Sequence, residues 1–299
     1  MRKDTLEKGG GDPSDVTFAF LTITAPGADI LPPGEEQAKF CREANEFAAG
    51  VRSSRPKRYG FFATIPSLLD PESAHAEIIY ALEKLGADGI ILLTRYGQGN
   101  HYLGHPDFRS TWDLLNSRGV VVFVLPTHSV DISAVNASLP QPIIDFPHET
   151  TRTAVDLITS GTIRSHPNVK IILSHAGGTL PYLALRPAVM LPYMRPGAVS
   201  TKEDAEAKTS SFLEDARKFY FDTALSTAPL QLALLKDFAQ PGHVLFGSDF
   251  PYAPTPAIRH LNGLLDKYAE KDADFVRSVH NSQAALTLFP RLSGLLDSV

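Results

Sequence analysis

The chain has 299 residues, 43% of them hydrophobic and 20% charged, which is the composition of a globular protein with one large core or two smaller ones. A net charge of −5 gives no basic surface for nucleic acid. No apolar run approaches the roughly 20 residues that a membrane span needs. The single cysteine excludes an intramolecular disulfide, and the N-terminal residues lack the apolar core of a secretory signal. We expect a cytoplasmic protein with no nucleic-acid or membrane partner.

The first part of the chain differs in composition from the rest. Residues 1–15 are charged and glycine-rich, which predicts a flexible N-terminal segment. Residues 16–299 are then expected to form a single domain.

Short β-branched or aromatic runs alternate with longer amphipathic stretches after residue 16. The predicted strands are 16–24, 59–65, 89–94, 120–125, 169–173, 219–223 and a run that ends near residue 249. The predicted helices are 35–53, 72–85, 108–118, 150–160, 181–193, 201–218, 228–238, 258–269, 274–280 and 282–288. This alternation indicates an α/β fold with parallel strands and right-handed crossovers. About seven strands are one fewer than a (β/α)8 TIM barrel has, and a doubly wound sheet is the alternative.

Nucleotide-binding motifs are absent from the sequence. No GxGxxG follows the first predicted strand, and no GxxxxGK[ST] occurs anywhere in the chain. A nucleotide cofactor is therefore not expected.

Polar side chains follow the predicted strands at the end where parallel barrels carry their catalytic groups. His175 is a candidate proton carrier, because the histidine pKa lies near neutrality. Asp249 is a candidate acid, base or metal ligand. The alternatives are structural, since an aspartate at this position often caps a turn and a histidine can pack against the next helix. Asp222 is assigned a capping role and ranks below Asp249.

Four further residues are candidate substrate contacts. Arg95 can hold a carboxylate in bidentate fashion, and Tyr96, His128 and Phe250 are expected beside it at the mouth of the barrel. An ion pair for Arg95 and a solvated loop position for His128 are the structural alternatives. The polar loop 97–107, which holds His101 and His105, is expected to be a lid or plain turn structure.

Four runs together carry a resemblance to a known family: YGFFATIP (59–66), LTRYG (93–97), LSHAGG (173–178) and FGSDFPY (246–252). From about residue 10 onward the chain resembles the amidohydrolase-superfamily decarboxylases related to aminocarboxymuconate semialdehyde decarboxylase, and most of all their 6-methylsalicylate decarboxylase branch. The resemblance implies a (β/α)8 barrel, a homodimer, a divalent metal such as Zn or Mn, and non-oxidative loss of CO2 from an aromatic or muconate acid.

The sequence departs from the metal site that the resemblance implies. That site has a His-x-His or Glu-x-His pair on the first strand, a histidine after the fifth and an aspartate after the eighth. Asp249 matches the aspartate, and His175 matches a histidine that assists proton transfer. The first histidine of the chain is His75, and Leu125 stands at the fifth-strand position, three residues before His128. We expect the first strand to be lacking or replaced, with Asp249 and His128 as weak metal ligands at most.

These residues leave more than one function open. The first hypothesis is decarboxylation of a small phenolic acid, with His175 or protonated Asp249 as proton donor and Arg95 partly replacing the metal. The alternative is a repurposed, metal-free barrel that binds or transforms a related aromatic or polyketide product, or an inactive paralogue. An apolar Leu125 at the mouth favours that alternative. Hydrolysis of a lactone or amide is a third possibility, but it needs a metal-activated water.

Overall fold

The computed structural model describes residues 16–194, 197, 199–280 and 283–293. The predicted flexible segment 1–15 and residues 294–299 lie outside this description. The strands are β1 (Ala19–Leu21), β2 (Tyr59–Ala63), β3 (Gly89–Leu93), β4 (Arg95–Tyr96), β5 (His101–Tyr102), β6 (Val121–Leu125), β7 (Lys170–Leu173), β8 (Tyr220–Asp222) and β9 (Val244–Leu245).

Helices follow nearly every strand of the main sheet. They are α1 (Glu35–Ser54), α2 (Pro71–Glu83), α3 (Arg109–Arg118), α4 (Gln141–Thr159), α5 (Thr162–Ser165), α6 (Leu180–Leu183), α7 (Leu185–Met194), α8 (Lys202–Arg217), α9 (Pro229–Phe238), α10 (Thr255–Tyr268), α11 (Ala273–His280) and α12 (Gln283–Leu288). Short 3-10 turns lie at Gly27–Ile30, Pro106–Phe108, His175–Gly177 and Pro290–Leu292.

Seven parallel strands form a curled sheet in the order β1-β2-β3-β6-β7-β8-β9. The order of these strands in the sheet is the same as their order along the chain, so each pairs with the previous strand of the sheet. This is the connectivity of a (β/α)8 TIM-barrel-like fold. The prediction of an α/β barrel-like fold is confirmed. Within residues 16–293 as described, no eighth strand joins β1 to β9.

The central strands form because their residues are apolar on both faces. All five residues of β3 are buried, as are four of the five in β6. Strands covered by helices on one side and by the barrel interior on the other are near-continuous apolar runs. In the pairing of β3 with β6, Leu93 lies opposite Leu125, and in the pairing of β6 with β7, Val124 lies opposite Leu173. The pairing aligns the C-terminal ends of β3, β6 and β7 at one edge.

Three elements differ from the sequence prediction. The expected loop 97–107 contains strand β5, which pairs with β4 at Arg95–Tyr96 as an antiparallel hairpin. Helix α4 begins at Gln141, nine residues before the predicted 150–160, because Pro142 occupies the first turn, where no N–H is needed, and Pro147 is tolerated further along. The long apolar run 16–24 gives only the three-residue β1.

None of the helices in the described part of the chain is long and apolar enough to span a bilayer.

Candidate active site

A cavity of about 760 Å³ lies along the inside of the curled sheet. It extends from Val16 and Tyr59, at the start of β1 and β2, to His175 and Asp249 beyond the ends of β7 and β9. A smaller cavity of about 380 Å³ surrounds His166 at the opposite ends of the strands. Parallel barrels carry their chemistry at the C-terminal strand ends, so the larger cavity is the candidate active site.

His175 is held at this cavity by two hydrogen bonds. Its backbone N–H donates to Asp222 Oδ1 at 2.9 Å, and its ring Nδ1 lies 3.2 Å from the carbonyl oxygen of Ala224. A carbonyl oxygen only accepts, so Nδ1 carries a proton. The other ring nitrogen, Nε2, is therefore the atom that can take up or release a second proton.

The backbone around His175 explains the His-Ala-Gly-Gly motif. His175 and Ala176 both have φ of 55°, which is unusual for residues with a side chain. Gly178 has φ of 64°, and a Cβ there would lie 1.9 Å from the carbonyl oxygen of Pro147 in α4. A Cβ on Gly177 would lie 2.8 Å from the ring of Phe221. The two glycines let this turn pack directly on α4 and β8.

Asp222 is the buried anchor of the turn. It ends β8 at 7% exposure, and its Oδ1 accepts the N–H groups of both His175 and Ala224 at 2.9 Å. Burial raises the pKa of Asp222, while the charge of His175 and the two N–H groups oppose that rise. Sequence reasoning ranked this residue below Asp249. The position of Asp222 at the C-terminal end of a strand was the signal that could have given it a higher rank among the candidate site residues.

Asp249 lies half-buried on the segment that follows β9. Its φ is 62°, and its carbonyl oxygen accepts the N–H groups of Tyr252 and Ala253. Burial raises the pKa of Asp249, the nearby Asp222 carboxylate raises it further, and the charge of His175 opposes both effects. His175 and Asp249 thus line one cavity and interact electrostatically, as the strand-end argument requires.

Arg95 contacts two loops and does not line the cavity. Its Nε donates to the carbonyl of His128 at 2.7 Å, Nη1 to the carbonyls of Gly97 and Gly99, and Nη2 to the carbonyl of Ser129 at 2.9 Å. All three guanidinium nitrogens are therefore bonded to main-chain oxygens. This geometry favours a structural role over carboxylate binding, and the substrate contact stays a prediction.

The other predicted contacts are distributed over different surroundings. Tyr96 is buried, and its hydroxyl accepts the N–H of Leu93. The Nδ1 of His128 contacts Gln141 Oε1, and neither Tyr96 nor His128 lines the cavity. Phe250 does line it and is 60% exposed at the mouth.

The described residues of the cavity do not provide a family-type metal site. Leu125 lines the wall where the resemblance implies a histidine, and Nδ1 of His175 is already bonded to a carbonyl. In the described part of the chain, the one group of three ligating side chains within 4.8 Å of one another is His101, His105 and Asp107, away from the cavity. A catalytic zinc usually has three protein ligands. Asp249 as a metal ligand therefore stays a prediction.

Comparison with known proteins places this geometry in a family. Residues 4–281 match the amidohydrolase family model. The chain belongs to the amidohydrolase family. It is 49% identical to a 6-methylsalicylic acid decarboxylase of Penicillium expansum over 99% of this chain and 94% of that protein. It is 46% identical to a 6-methylsalicylic acid decarboxylase of Aspergillus aculeatus over 97% of this chain and 92% of that protein. The resemblance inferred from the sequence motifs is confirmed.

Solved structures of this amidohydrolase fold are also similar. A 2,6-dihydroxybenzoate decarboxylase from Rhizobium superposes with a TM-score of 0.78 at 23% identity, over 97% of this chain and 88% of that one. It has also been solved with 2,6-dihydroxybenzoate. A dihydroxybenzoic acid decarboxylase from Polaromonas, with manganese and the inhibitor 2-nitroresorcinol, gives a TM-score of 0.73 at 21% identity over 92% and 82% of the two chains. These two relatives and two solved proteins are all named as decarboxylases of aromatic acids.

Proposed function

We propose that this amidohydrolase decarboxylates a small phenolic acid of the 6-methylsalicylate type. The observation that carries the proposal is His175, whose main chain is fixed by Asp222 and whose Nδ1 is bonded to the carbonyl of Ala224, at a cavity that also contains Asp249. The names of the relatives supply the substrate class. The wall of the cavity is largely aromatic and aliphatic, which suits a benzene ring.

The proposed reaction is a proton transfer followed by loss of CO2. Nε2–H of His175 gives its proton to the ring carbon that bears the carboxylate. The bond between that carbon and the carboxylate then breaks, and its electron pair restores the aromatic ring as CO2 leaves. The phenol keeps the proton, and His175 takes a replacement from water. A positioned proton donor of this kind contributes about 10²–10⁴-fold in rate.

Asp249 is the second candidate proton donor. Its raised pKa keeps its neutral form populated to higher pH than an ordinary aspartate. A neutral Asp249 also avoids repelling the carboxylate of the substrate. We therefore propose that the rate falls as pH rises through the pKa of Asp249.

Metal takes no part in the proposed steps, because the donor atoms described at the cavity do not make a three-ligand site. The alternative for the same reaction is a weakly bound Zn or Mn ion, with Asp249 and a displaced His128 as its ligands. The competing function is ligand binding without decarboxylation, which Leu125 favours because it makes the cavity wall more apolar.

The deciding experiment measures phenol and CO2 from a panel of hydroxybenzoic acids, with protein treated with a chelator and with protein supplied with Mn²⁺ or Zn²⁺. The proposed steps would be supported if the chelator-treated wild type turns over substrate and the chelator-treated His175→Ala variant does not. Binding of the same acids without turnover in either sample would favour the competing function. Turnover only with added metal would contradict the metal-free mechanism.

We further propose a homodimer and a cytoplasmic location. Apolar side chains are exposed on α6, α7 and α9, among them Tyr182, Leu185, Met190 and Leu230, and α6 contacts both of the other helices. A second copy of the chain would cover this face. Sedimentation should give a dimer that Leu185→Glu dissociates, whereas Phe47→Glu, at an exposed apolar position on α1, should leave it intact. A monomeric wild type would contradict the dimer.

A further inference from the structure

We propose that His101, His105 and Asp107 form a binding site for a divalent transition metal, separate from the cavity of His175. The three side chains offer two imidazole nitrogens and one carboxylate oxygen, all within 4.8 Å of one another. None of the three lines the large cavity. The proposal does not depend on the decarboxylase function.

The distances between donor atoms are close to those of a tetrahedral site. Asp107 Oδ2 lies 3.4 Å from His105 Nδ1 and 3.8 Å from His101 Nε2. Bonds of about 2.0–2.1 Å to a tetrahedral zinc ion place two ligand atoms about 3.3–3.4 Å apart. Nδ1 of His105 accepts the backbone N–H of Asp107 at 3.3 Å, so a metal would replace that hydrogen bond as the three side chains close around it. A fourth position would be left for water.

The backbone that carries the ligands is anchored on several sides. His101 is in β5, where it pairs with Tyr96. Between the two histidines, Leu103 accepts a hydrogen bond from the indole of Trp112 at 2.7 Å, and the N–H of Gly104 donates to Asp156 at 2.6 Å. The ligands are therefore held on fixed main chain, which lowers the entropy lost when a metal binds.

The two histidine rings lie side by side. The centroids of His101 and His105 are 4.4 Å apart, so the imidazoles are in contact. The nitrogens nearest to Asp107 are Nε2 of His101 and Nδ1 of His105, and these are the atoms that would bind a shared metal ion.

The donor set selects the class of metal. Imidazole nitrogen with one carboxylate suits Zn²⁺, Ni²⁺ or Cu²⁺, whereas Mg²⁺ and Ca²⁺ prefer oxygen ligands alone. Bound metal would fix the β4–β5 hairpin to the turn at Pro106–Phe108. We therefore expect a higher melting temperature with Zn²⁺ than with Mg²⁺.

The test is calorimetric titration of the untagged full chain with Zn²⁺ after chelator treatment, with thermal melting as the second readout. Wild type should bind Zn²⁺ with a Kd below about 10 µM. His101→Ala, His105→Ala and Asp107→Asn should each weaken that binding at least about tenfold. His148→Ala, at an exposed histidine on α4, is the matched control and should bind as wild type does.

Three results would overturn the proposal. The first is wild-type binding weaker than that threshold. The second is unchanged binding in His101→Ala and His105→Ala. The third is loss of binding in His175→Ala instead, which would place the metal in the cavity. Asp107→Asn changes a side chain that is 58% exposed, so it tests the site even if a histidine variant fails to fold.

Discussion

Replacing His175 by alanine removes the proposed proton donor and leaves the fold nearly intact. The backbone N–H that bonds to Asp222 is still present in the variant. The hydrogen bond from Nδ1 to Ala224 disappears, which is a loss of about 1 kcal/mol in the free energy of unfolding, and the charge of His175 beside Asp222 and Asp249 is also lost. The rate constant kcat should fall about 10²–10⁴-fold, equivalent to about 3–5 kcal/mol in activation free energy.

The assay follows phenol formation from 6-methylsalicylate by chromatography, with urea unfolding measured on the same samples. In D2O the wild type should place deuterium on the ring carbon that lost CO2. His260→Ala, at an exposed histidine on α10, is the control and should keep the wild-type rate. A kcat within about threefold of wild type for His175→Ala would refute the assignment, because a general acid contributes far more.

Three more substitutions test the surroundings of the site. Asp222→Asn keeps an acceptor for both N–H groups but not the charge. Because burial raises the pKa of Asp222 above 3.8, wild type should lose stability as pH rises through that pKa. The free energy of unfolding of the variant should decrease less over the same pH range. Urea unfolding at pH 4–8 measures this, and the same pH dependence in wild type and variant would contradict it. Arg95→Ala should lower the free energy of unfolding by about 3 kcal/mol or more, since several carbonyls lose a charged donor; unchanged stability with a raised KM would instead support substrate binding. Gly178→Ala should destabilise by about 3 kcal/mol through its clash with α4, whereas the control Gly263→Ala, in open space on α10, should stabilise by about 0.5–1 kcal/mol in thermal melts.

Much of the barrel could be predicted from the sequence because its strands are locally distinctive. The run of apolar residues in β3 is short, buried and bounded by a glycine. Its strand conformation can therefore be predicted from the local sequence, without knowledge of contacts to distant residues. His175 and Asp249 were chosen as candidates by the same reasoning, since both follow such runs, and both line the cavity. Hairpin β4–β5 was missed because its two-residue strands are polar and too short for any periodicity.

The role of Arg95 could not be predicted from its neighbours in sequence. Its partners include main-chain oxygens 33 and 34 positions away, at His128 and Ser129. For Asp222 the sequence indicated a local capping role, which its bond from Ala224 N–H fits, but the bond from the N–H of His175, 47 positions earlier, could not be predicted. Contacts to the main chain leave no mark on the identity of the partner residue, so a sequence pattern cannot reveal them.

The same property of Arg95 affects how the loops can evolve. Because the guanidinium binds carbonyl oxygens, which every amino acid possesses, the side chains at 128 and 129 can change without loss of these anchors. Mutational drift can alter the chemistry of this loop while its backbone keeps its position. The loop at 128–129 can therefore change its side chains at little risk to folding, provided that Arg95 is retained.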